Sequence, residues 1–276
     1  MNDRCFEWHT SRDLMSSSIV NGREAKRAEF PYIVYIERWD RKDTNGKIEE
    51  KKMGHCTGSV INENWILTAA HCFKSYQIIC NDVCFYKVYA GIIDITQPGI
   101  DYGHQLIILH PNYTYHNFLH FEYDIALIKV KTPMSFSANS GYYRQINSIC
   151  LPPIDYYNTG NEYAVIAGFG KINGAYNVNR LMMGWNRIPP QQSNSLTIVV
   201  NTQYPYPGGA YICFGDSGGP LIQYINGRAV LIGVTSRMGN MNLIYCSPYD
   251  ATKPVESTYV RVSDKINWIL TQINTN

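Results

Sequence analysis

Short runs of β-branched and other apolar residues, divided by turn residues, recur along the 276-residue chain and constrain its fold more than any other feature. Examples cover residues 32–36, 58–61, 65–68, 105–109, 125–130, 164–167, 196–200 and 229–234. Short strands at close spacing, without long helical repeats, are typical of an all-β barrel or sandwich. Their β-branched composition suits buried sheet. The sequence therefore predicts an all-β fold.

One helix is predicted, and it lies at the C-terminal end of the chain. Its apolar residues recur at the spacing of a single helical face: Ile266, Ile269, Leu270 and Ile273. Ser263 or Asp264 is expected to cap its first turn, since both side chains accept hydrogen bonds from free backbone N–H groups.

Two polar stretches are predicted to lack strands. Residues 40–52 are expected to form an exposed hairpin loop. Residues 176–195 are expected to form a long connection, because Pro189 and Pro190 stop regular structure.

Charge and hydropathy exclude several classes of partner. The formal net charge is +2, and no block of like charges indicates nucleic acid or an anionic membrane surface. No apolar run approaches the ~18 residues of a membrane span. We therefore expect no nucleic-acid partner and no membrane span.

Eight cysteines indicate disulfides and hence an oxidising, extracellular compartment. The first four residues, 1–4, do not begin a signal peptide. We therefore expect a secreted protein whose signal peptide was removed, or never included, upstream of Met1.

Three short motifs carry residues suited to nucleophilic catalysis. Residues 68–72 read TAAHC, residues 124–128 read DIALI, and residues 213–220 read CFGDSGGP. A serine nucleophile needs a base within hydrogen-bond reach, and that base needs a carboxylate to hold its tautomer. Taken singly, the motifs could be a structural His, a turn-capping Asp and a flexible glycine loop. Their joint occurrence, in the order His, Asp, Ser, is far more specific.

With these motifs the chain resembles the chymotrypsin-like (trypsin-fold) serine peptidases, from Ile19 to the final helix. The resemblance implies two six-stranded antiparallel β-barrels followed by a C-terminal α-helix. It implies a leader or propeptide over residues 1–18 and a peptidase domain over residues 19–276. The N-terminal barrel would span about residues 19–131 and the C-terminal barrel about residues 132–276.

The resemblance also implies a role for each residue of the motifs. Ser217 matches the nucleophile, His71 the general base and later acid, and Asp124 the orienting carboxylate. The backbone N–H groups of Gly215 and Ser217 match the oxyanion hole. Ser236 resembles the family serine that lies beside the catalytic Asp, on the segment that pairs with substrate backbone.

Residues 19–22, IVNG, resemble the new N-terminus that activating cleavage creates in this family. The resemblance implies that the amine of Ile19 pairs with Asp216, directly before the nucleophile. A buried carboxylate without that partner would cost on the order of 3–5 kcal/mol. Cleavage before Ile19 would therefore order the oxyanion hole.

The cysteines form a further part of the resemblance, which implies the pairs Cys56–Cys72, Cys213–Cys246 and Cys5–Cys150. The last pair would keep the leader attached after cleavage. Cys80 and Cys84 are then expected to bridge each other, with a Cys/His metal site as the alternative. No second pair of ligands is evident, so we expect no metal and no other cofactor.

Three departures from the family bear on specificity and activation. Ser18, where the family usually has Arg or Lys, precedes the expected cleavage site. Tyr211 stands six residues before the nucleophile, where it offers no counter-charge for a basic substrate and either fills the pocket or points elsewhere. The family commonly has a Trp-Gly pair on the wall of the substrate groove, and here Arg237 and Met238 stand in its place. The candidate substrate-pocket residues are Tyr211, Phe214, Ser236, Arg237 and Met238.

Two hypotheses follow from these observations. The first is a secreted serine endopeptidase that acts through an acyl-enzyme and is not trypsin-like in specificity. The second is a catalytically inactive protease homologue that acts as a binding module or pathway inhibitor. The complete set of His71, Asp124 and Ser217 favours the first, and the altered pocket favours the second. The expected partners are a protein or peptide substrate, an activating protease and protein inhibitors, with the chain itself a monomer.

Overall fold

The computed structural model describes residues 5, 18–74, 83–97, 99–114, 121–136, 146–157, 162–172, 178–190, 195–202, 209–242 and 246–276. Of the expected leader, only Cys5 and Ser18 fall within these ranges. Cys80, the expected partner of Cys84, lies outside them.

The first part of the described chain forms strand β1 (Ser18–Glu24) and then a six-stranded antiparallel sheet. The strands of that sheet are β2 (Ile33–Thr44), β3 (Lys47–Asn62), β4 (Trp65–Thr68), β5 (Val83–Ala90), β6 (Leu106–Leu109) and β7 (Ala126–Lys129). They lie side by side in the order β5-β2-β3-β4-β7-β6.

The later strands form a second antiparallel sheet, which also takes up β1. Its other members are β8 (Glu162–Gly168), β9 (Met182–Ile188), β10 (Thr197–Thr202), β11 (Pro220–Ile225), β12 (Arg228–Gly239) and β15 (Val255–Arg261). The order is β1-β9-β8-β11-β12-β15-β10. A two-stranded ribbon pairs β13 (Met241–Asn242) with β14 (Ser247–Pro248).

Helical structure in the described residues is limited to short segments. Three single turns of 3₁₀-helix cover Ala70–Cys72, Phe121–Tyr123 and Ser263–Lys265, and α1 covers Ile266–Thr275. Two curled antiparallel sheets followed by one C-terminal helix confirm the predicted all-β fold class. None of the described helices is long and apolar enough to cross a bilayer.

The two sheets share a buried core, which explains why their strands are rich in β-branched residues. One cluster joins Val34, Ile66 and Leu127 of the first sheet to Val165 and Leu231 of the second. All five side chains are fully buried. Burial of this kind supplies most of the favourable free energy of folding, at roughly 25 cal/mol per Å² of apolar surface.

The second sheet has seven strands rather than six, because the segment around Ile19 adds to its edge. β1 pairs with β9 in antiparallel register, with Arg23 opposite Met183 and Glu24 opposite Met182. In this continuous chain the Ile19 nitrogen is part of a peptide bond and carries no charge. Backbone pairing with β9 instead fixes the position of this segment.

Two stretches predicted as connections contain regular sheet. Within residues 40–52, β2 and β3 continue as a paired ribbon that turns only at Asn45 and Gly46, both with positive φ. Such a two-residue turn matches the twist of antiparallel strands. Within residues 176–195, β9 forms and ends directly before Pro189.

The C-terminal helix differs from its prediction in two details. Ser263 donates its hydroxyl to the Tyr156 carbonyl at 2.8 Å, and no side chain caps α1. The predicted cap is therefore wrong. Leu270 of the predicted apolar face is 44% exposed, whereas Trp268 packs against the core and lies 4.9 Å from the His110 ring.

Disulfides join distant parts of the described chain. Cys56–Cys72 links β3 to the turn that carries His71, and Cys213–Cys246 links the Ser217 loop to the turn before β14. Cys5–Cys150 joins Cys5 to the body of the protein across 145 residues of sequence. Cys84 is also disulfide-bonded.

Candidate active site

The pairing of β4 with β7 brings His71 and Asp124 together. Thr68, the last residue of β4, lies opposite Ala126, the first residue of β7. The 3₁₀ turn that follows β4 carries His71, and Asp124 directly precedes the start of β7. Residues 53 positions apart in sequence thus become neighbours at one edge of the first sheet.

Asp124 is a buried carboxylate that accepts three hydrogen bonds. His71 Nδ1 lies 2.6 Å from Asp124 Oδ2, and the His71 backbone N–H donates to Oδ1 at 2.8 Å. The Ser236 hydroxyl donates to Oδ2 at 2.6 Å. Because an ionised carboxylate is only an acceptor, His71 Nδ1 carries a hydrogen. The other ring nitrogen, Nε2, is then a proton acceptor in the neutral ring.

The carboxylate also sets the charge state of His71. Burial of the ring acts to lower its pKa, but the attraction of Asp124 and their hydrogen bond outweigh burial. The pKa of His71 is therefore raised above its usual value, and the protonated ring is stabilised.

Ser217 and His71 line the same cleft, which has a volume of about 660 Å³. The loop of Ser217 approaches other backbone closely, and two glycines make this possible. Gly215 has φ +98° and Gly218 has φ +78°, both in the left-handed region. A Cβ at Gly215 would overlap the His55 ring, and one at Gly218 would overlap the Thr68 hydroxyl.

Two backbone N–H groups of this loop remain available. Within the described residues, neither Gly215 N–H nor Ser217 N–H donates to a protein acceptor. The Phe214 carbonyl accepts from Lys171 N–H at 2.7 Å. Since the peptide unit is planar and trans, this bond fixes the direction of the Gly215 N–H.

Thr57 of β3 supports the same loop, a role that no local sequence signal indicated. Its buried hydroxyl donates to the Gly215 carbonyl at 2.8 Å and accepts from Phe169 N–H at 3.3 Å. Its backbone N–H donates to the Ser217 carbonyl at 2.8 Å. Thr57 therefore ties the first sheet to the loop on both sides of Asp216.

Asp216 is buried and has no cationic partner among the described residues. Its carboxylate accepts from Gly170 N–H at 2.8 Å and Cys213 N–H at 2.9 Å. Burial raises its pKa to about 7, although both hydrogen bonds act to lower it. The peptide nitrogen of Ile19 cannot supply a positive charge while the chain is continuous.

Tyr211 occupies the interior of the region expected to be the side-chain pocket. It is 1% exposed and donates its hydroxyl to the Cys246 carbonyl at 3.1 Å. It packs in a buried cluster with Met241 and Val255, and Met238 lies against that cluster. The ring is therefore enclosed by the protein and does not line the cleft beside Ser217.

The other candidate pocket residues are not brought together at the cleft beside Ser217. Phe214 is 40% exposed and lines the cleft beside Ser217. Arg237 places its guanidinium 4.5 Å from the Phe121 ring centroid and 3.8 Å from Glu256. Arg237 and Met238 are absent from the described lining of the cleft.

A cluster of potential metal ligands in the described residues consists of Cys56, His71 and Cys72. The two cysteines are joined to each other in a disulfide. They therefore present no thiolate, which is the form of cysteine that binds metal.

Comparisons with known proteins find a family and several relatives that this chain resembles. The family described as Trypsin matches residues 19–269. The venom peptide isomerase heavy chain of Agelenopsis aperta is 32% identical over 269 residues, covering 91% of this chain and 98% of the relative. CLIP domain-containing serine protease B4 of Anopheles gambiae is 29% identical, covering 92% and 70%. Coagulation factor IX of Oryctolagus cuniculus is 28% identical, covering 91% and 82%.

Proposed function

Because this chain belongs to the trypsin family of serine peptidases, we propose that it hydrolyses peptide bonds with Ser217 as nucleophile, His71 as base and Asp124 as orienting carboxylate. The observation that carries this proposal is that His71, which is bonded through Nδ1 to Asp124, lines the same cleft as Ser217. That bond orients the ring. It leaves His71 Nε2 free to accept the serine proton.

The proposed reaction follows the general Ser-His-Asp scheme of the family. Ser217 Oγ attacks the substrate carbonyl carbon while its proton passes to His71 Nε2. Collapse of the tetrahedral intermediate breaks the carbon–nitrogen bond, and the same proton goes to the leaving amine. Water then attacks the acyl ester, again with His71 as base, and Ser217 regains its hydrogen. Asp124 stabilises the imidazolium that forms in each half-reaction.

The free N–H groups of Gly215 and Ser217 support an oxyanion hole. Each such donor is typically worth about 3–4 kcal/mol of the barrier. Both belong to the loop that Thr57 and Lys171 hold in place. The carbonyl oxygen of the substrate would gain its negative charge between them.

The burial of Tyr211 supports a specificity that is not trypsin-like. Tyr211 offers a buried phenol, not a carboxylate, where a basic side chain would need a counter-charge. The preferred substrates in this proposal are therefore peptides that have a small side chain directly before the scissile bond.

Cleavage before Ile19 is the proposed switch of activity. The new ammonium group would pair with Asp216, which is buried without a cationic partner among the described residues and whose pKa burial raises to about 7. The Cys5–Cys150 disulfide would keep the leader attached. A disulfide-bonded enzyme of this kind is proposed to be secreted.

A fluorophosphonate probe tests the proposal directly. The chain is made with an engineered cleavage site before Ile19 and labelled before and after cleavage, beside Ser217→Ala. Labelling is expected to rise at least about tenfold on cleavage, because the new ammonium group would pair with Asp216 and stabilise the loop whose N–H donors are worth several kcal/mol of the barrier. It is expected to be absent in Ser217→Ala. A peptide library would then show no enrichment of Lys or Arg before the scissile bond.

Absence of labelling, with Ile19 shown by N-terminal sequencing to be exposed, would contradict the proposal. The protein would then be tested as an inactive homologue by partner capture. Since one relative is named a peptide isomerase, uncleaved peptide recovered from the assay is also examined by chiral chromatography. Isomerised peptide without hydrolysis would likewise contradict the assignment as a peptidase.

Thr57→Val is expected to lower kcat by roughly tenfold with little change in KM, because the loop that carries an oxyanion donor loses its anchor. Valine keeps the shape of threonine but removes the hydroxyl that contacts the Gly215 carbonyl and Phe169 N–H. Thr57→Ser restores that hydroxyl and should recover most of kcat. Equal loss in both variants, or a loss confined to KM, would exclude this positioning role.

A further inference from the structure

The cleft beside Ser217 has an uneven charge. Three basic residues line it, namely Arg38, Lys52 and Lys171, and none of the described lining residues is Asp or Glu. Arg38 belongs to β2, Lys52 belongs to β3, and Lys171 follows β8. Both sheets therefore direct cations toward the same space.

The positive charge of Lys52 is balanced by an ion pair, whereas the charges of the other two cations are not. Its ammonium group contacts Glu37 Oε1 and the Tyr35 hydroxyl, both at 2.6 Å. Within the described part of the chain, neither Arg38 nor Lys171 forms an ion pair. Two uncompensated positive charges thus face a cleft with low-dielectric walls, where they attract an anion more strongly than in open solvent.

Arg38 is the better placed of the two. It is half-buried, and burial lowers the pKa of its guanidinium. The recorded contact of its guanidinium is weak, a 3.5 Å approach to the Met53 carbonyl. A β-bulge follows it in β2, and Gly54 lies opposite without a side chain to cover it. Its fork of donors can bind a carboxylate through two hydrogen bonds.

The position of the cleft indicates which part of a substrate it receives. It borders the Cys56–Cys72 disulfide and the β2–β3 ribbon, and its described lining lacks Ser236 and Tyr211. Tyr211 belongs to the pocket proposed to receive the side chain before the scissile bond, and Ser236 belongs to the segment expected to pair with substrate backbone. His71, which must protonate the leaving nitrogen, does line the cleft. The cleft therefore lies on the leaving-group side of Ser217.

We propose that Arg38, assisted by Lys171, selects substrates that carry Asp or Glu within the first two residues after the scissile bond. This inference rests on the proposed peptidase function and names its substrate class. A carboxylate there would pair with the guanidinium, and a Lys in the same place would be repelled by both cations. Selection by charge on this side would complement the closed pocket on the other.

Matched fluorogenic peptides test the inference with the cleaved enzyme. They differ only in the first two residues after the scissile bond, which are Glu, Gln or Lys. We expect kcat/KM to be at least about tenfold higher for Glu than for Gln, as for one charge-assisted hydrogen bond. Arg38→Gln should remove most of this preference, and Arg38→Glu should reverse it toward Lys.

Lys51→Gln is the matched control, because Lys51 is an exposed cation of the same ribbon outside the described lining of the cleft. It should keep the full preference for Glu. Equal kcat/KM for the Glu and Gln peptides would overturn the inference, as would a Glu preference that survives in the Arg38→Gln, Lys171→Gln double variant.

Fluorophosphonate labelling separates the two levels of proposal, because the probe has no residues on the leaving-group side. Normal labelling without a preference for Glu would overturn this inference and leave the peptidase function standing. Failure of labelling would overturn both.

Discussion

Asp124→Asn is expected to lower kcat by about 10⁴-fold while the fold is kept. The reason lies in the fixed donors around the carboxylate. The His71 backbone N–H, which cannot lose its hydrogen, contacts Oδ1 at 2.8 Å. An asparagine must therefore place its amide oxygen there and its NH₂ group toward His71 Nδ1.

An asparagine amide held in this orientation changes the tautomer of His71. An NH₂ group facing Nδ1 requires that nitrogen to be an acceptor, so the ring hydrogen moves to Nε2. A histidine with its hydrogen on Nε2 cannot take the proton of Ser217. The Ser236 hydroxyl can rotate away from the new NH₂, so it does not oppose this arrangement.

Kinetics and NMR together check the prediction. The loss should appear in kcat and in the labelling rate, and the ¹⁵N shifts of His71 should show the hydrogen on Nε2 in the variant. Asp43→Asn serves as control, because Asp43 lies at the turn of the ribbon and accepts from Gly46 N–H, which asparagine can also do. A loss of activity with an unchanged His71 tautomer would contradict the mechanism.

The proximity of His71 and Asp124 could be predicted from sequence because each residue lies at the end of a predictable strand. His71 follows β4 and Asp124 precedes β7, so the pairing of two short apolar runs is enough to make them neighbours. The fold class could be predicted for a similar reason. β-branched runs between turns indicate strands whatever their partners are.

Contacts between distant parts of the chain left no such signal. Thr57 reaches Gly215 across 158 residues, and nothing near either residue indicates the contact. The β2–β3 ribbon was predicted as a loop because it projects into solvent, where neither face needs apolar residues. Arg38 was missed because it lies outside the short motifs and faces the cleft only once β2 has paired with β3. Propensity alone could not identify β9, since its pairing with β1 and β8 decides its conformation.

Asp216 is expected to make the uncleaved chain less stable as the pH rises from about 4 to about 7. Its pKa is raised to about 7 by burial, against a usual value of 3.8. The folded chain therefore holds a proton that the unfolded chain has released across this window. Stability falls with pH wherever the folded state binds more protons. At about 1.4 kcal/mol per pH unit, the total is roughly 4 kcal/mol.

Two histidines change the stability of the folded chain with pH in the opposite direction to Asp216. The prediction therefore concerns the difference in stability between the Asp216 protein and Asp216→Asn. Burial lowers the pKa of His110 to about 4 and lowers that of His55, and both resist protonation in the folded state. Their contribution to stability is lost as the pH falls below the unfolded value of 6.5. The pKa of His71 is raised, so its contribution is lost at higher pH. All three histidines are present both with and without Asp216→Asn, so their contributions cancel in the difference.

Denaturant unfolding of uncleaved Ser217→Ala, with and without Asp216→Asn, isolates the carboxylate. The stability of the Asp216 form relative to the Asn form should fall by roughly 4 kcal/mol between pH 4 and pH 7.5. Asparagine also loses one of the two acceptors for Gly170 and Cys213 N–H, but that cost does not vary with pH. A pH-independent difference would show that Asp216 is not destabilised by its charge in this state.

Cleavage before Ile19 should abolish the same dependence. The new ammonium group supplies the missing positive charge, which lowers the pKa of Asp216 and favours its ionised form. The cleaved protein should therefore gain stability over the uncleaved one as the pH rises to 7, and Asp216→Asn should remove that gain. If cleavage left the Asp216 difference unchanged, the amine of Ile19 would not be its partner. The charge that weakens the uncleaved chain would then have no part in switching the enzyme on.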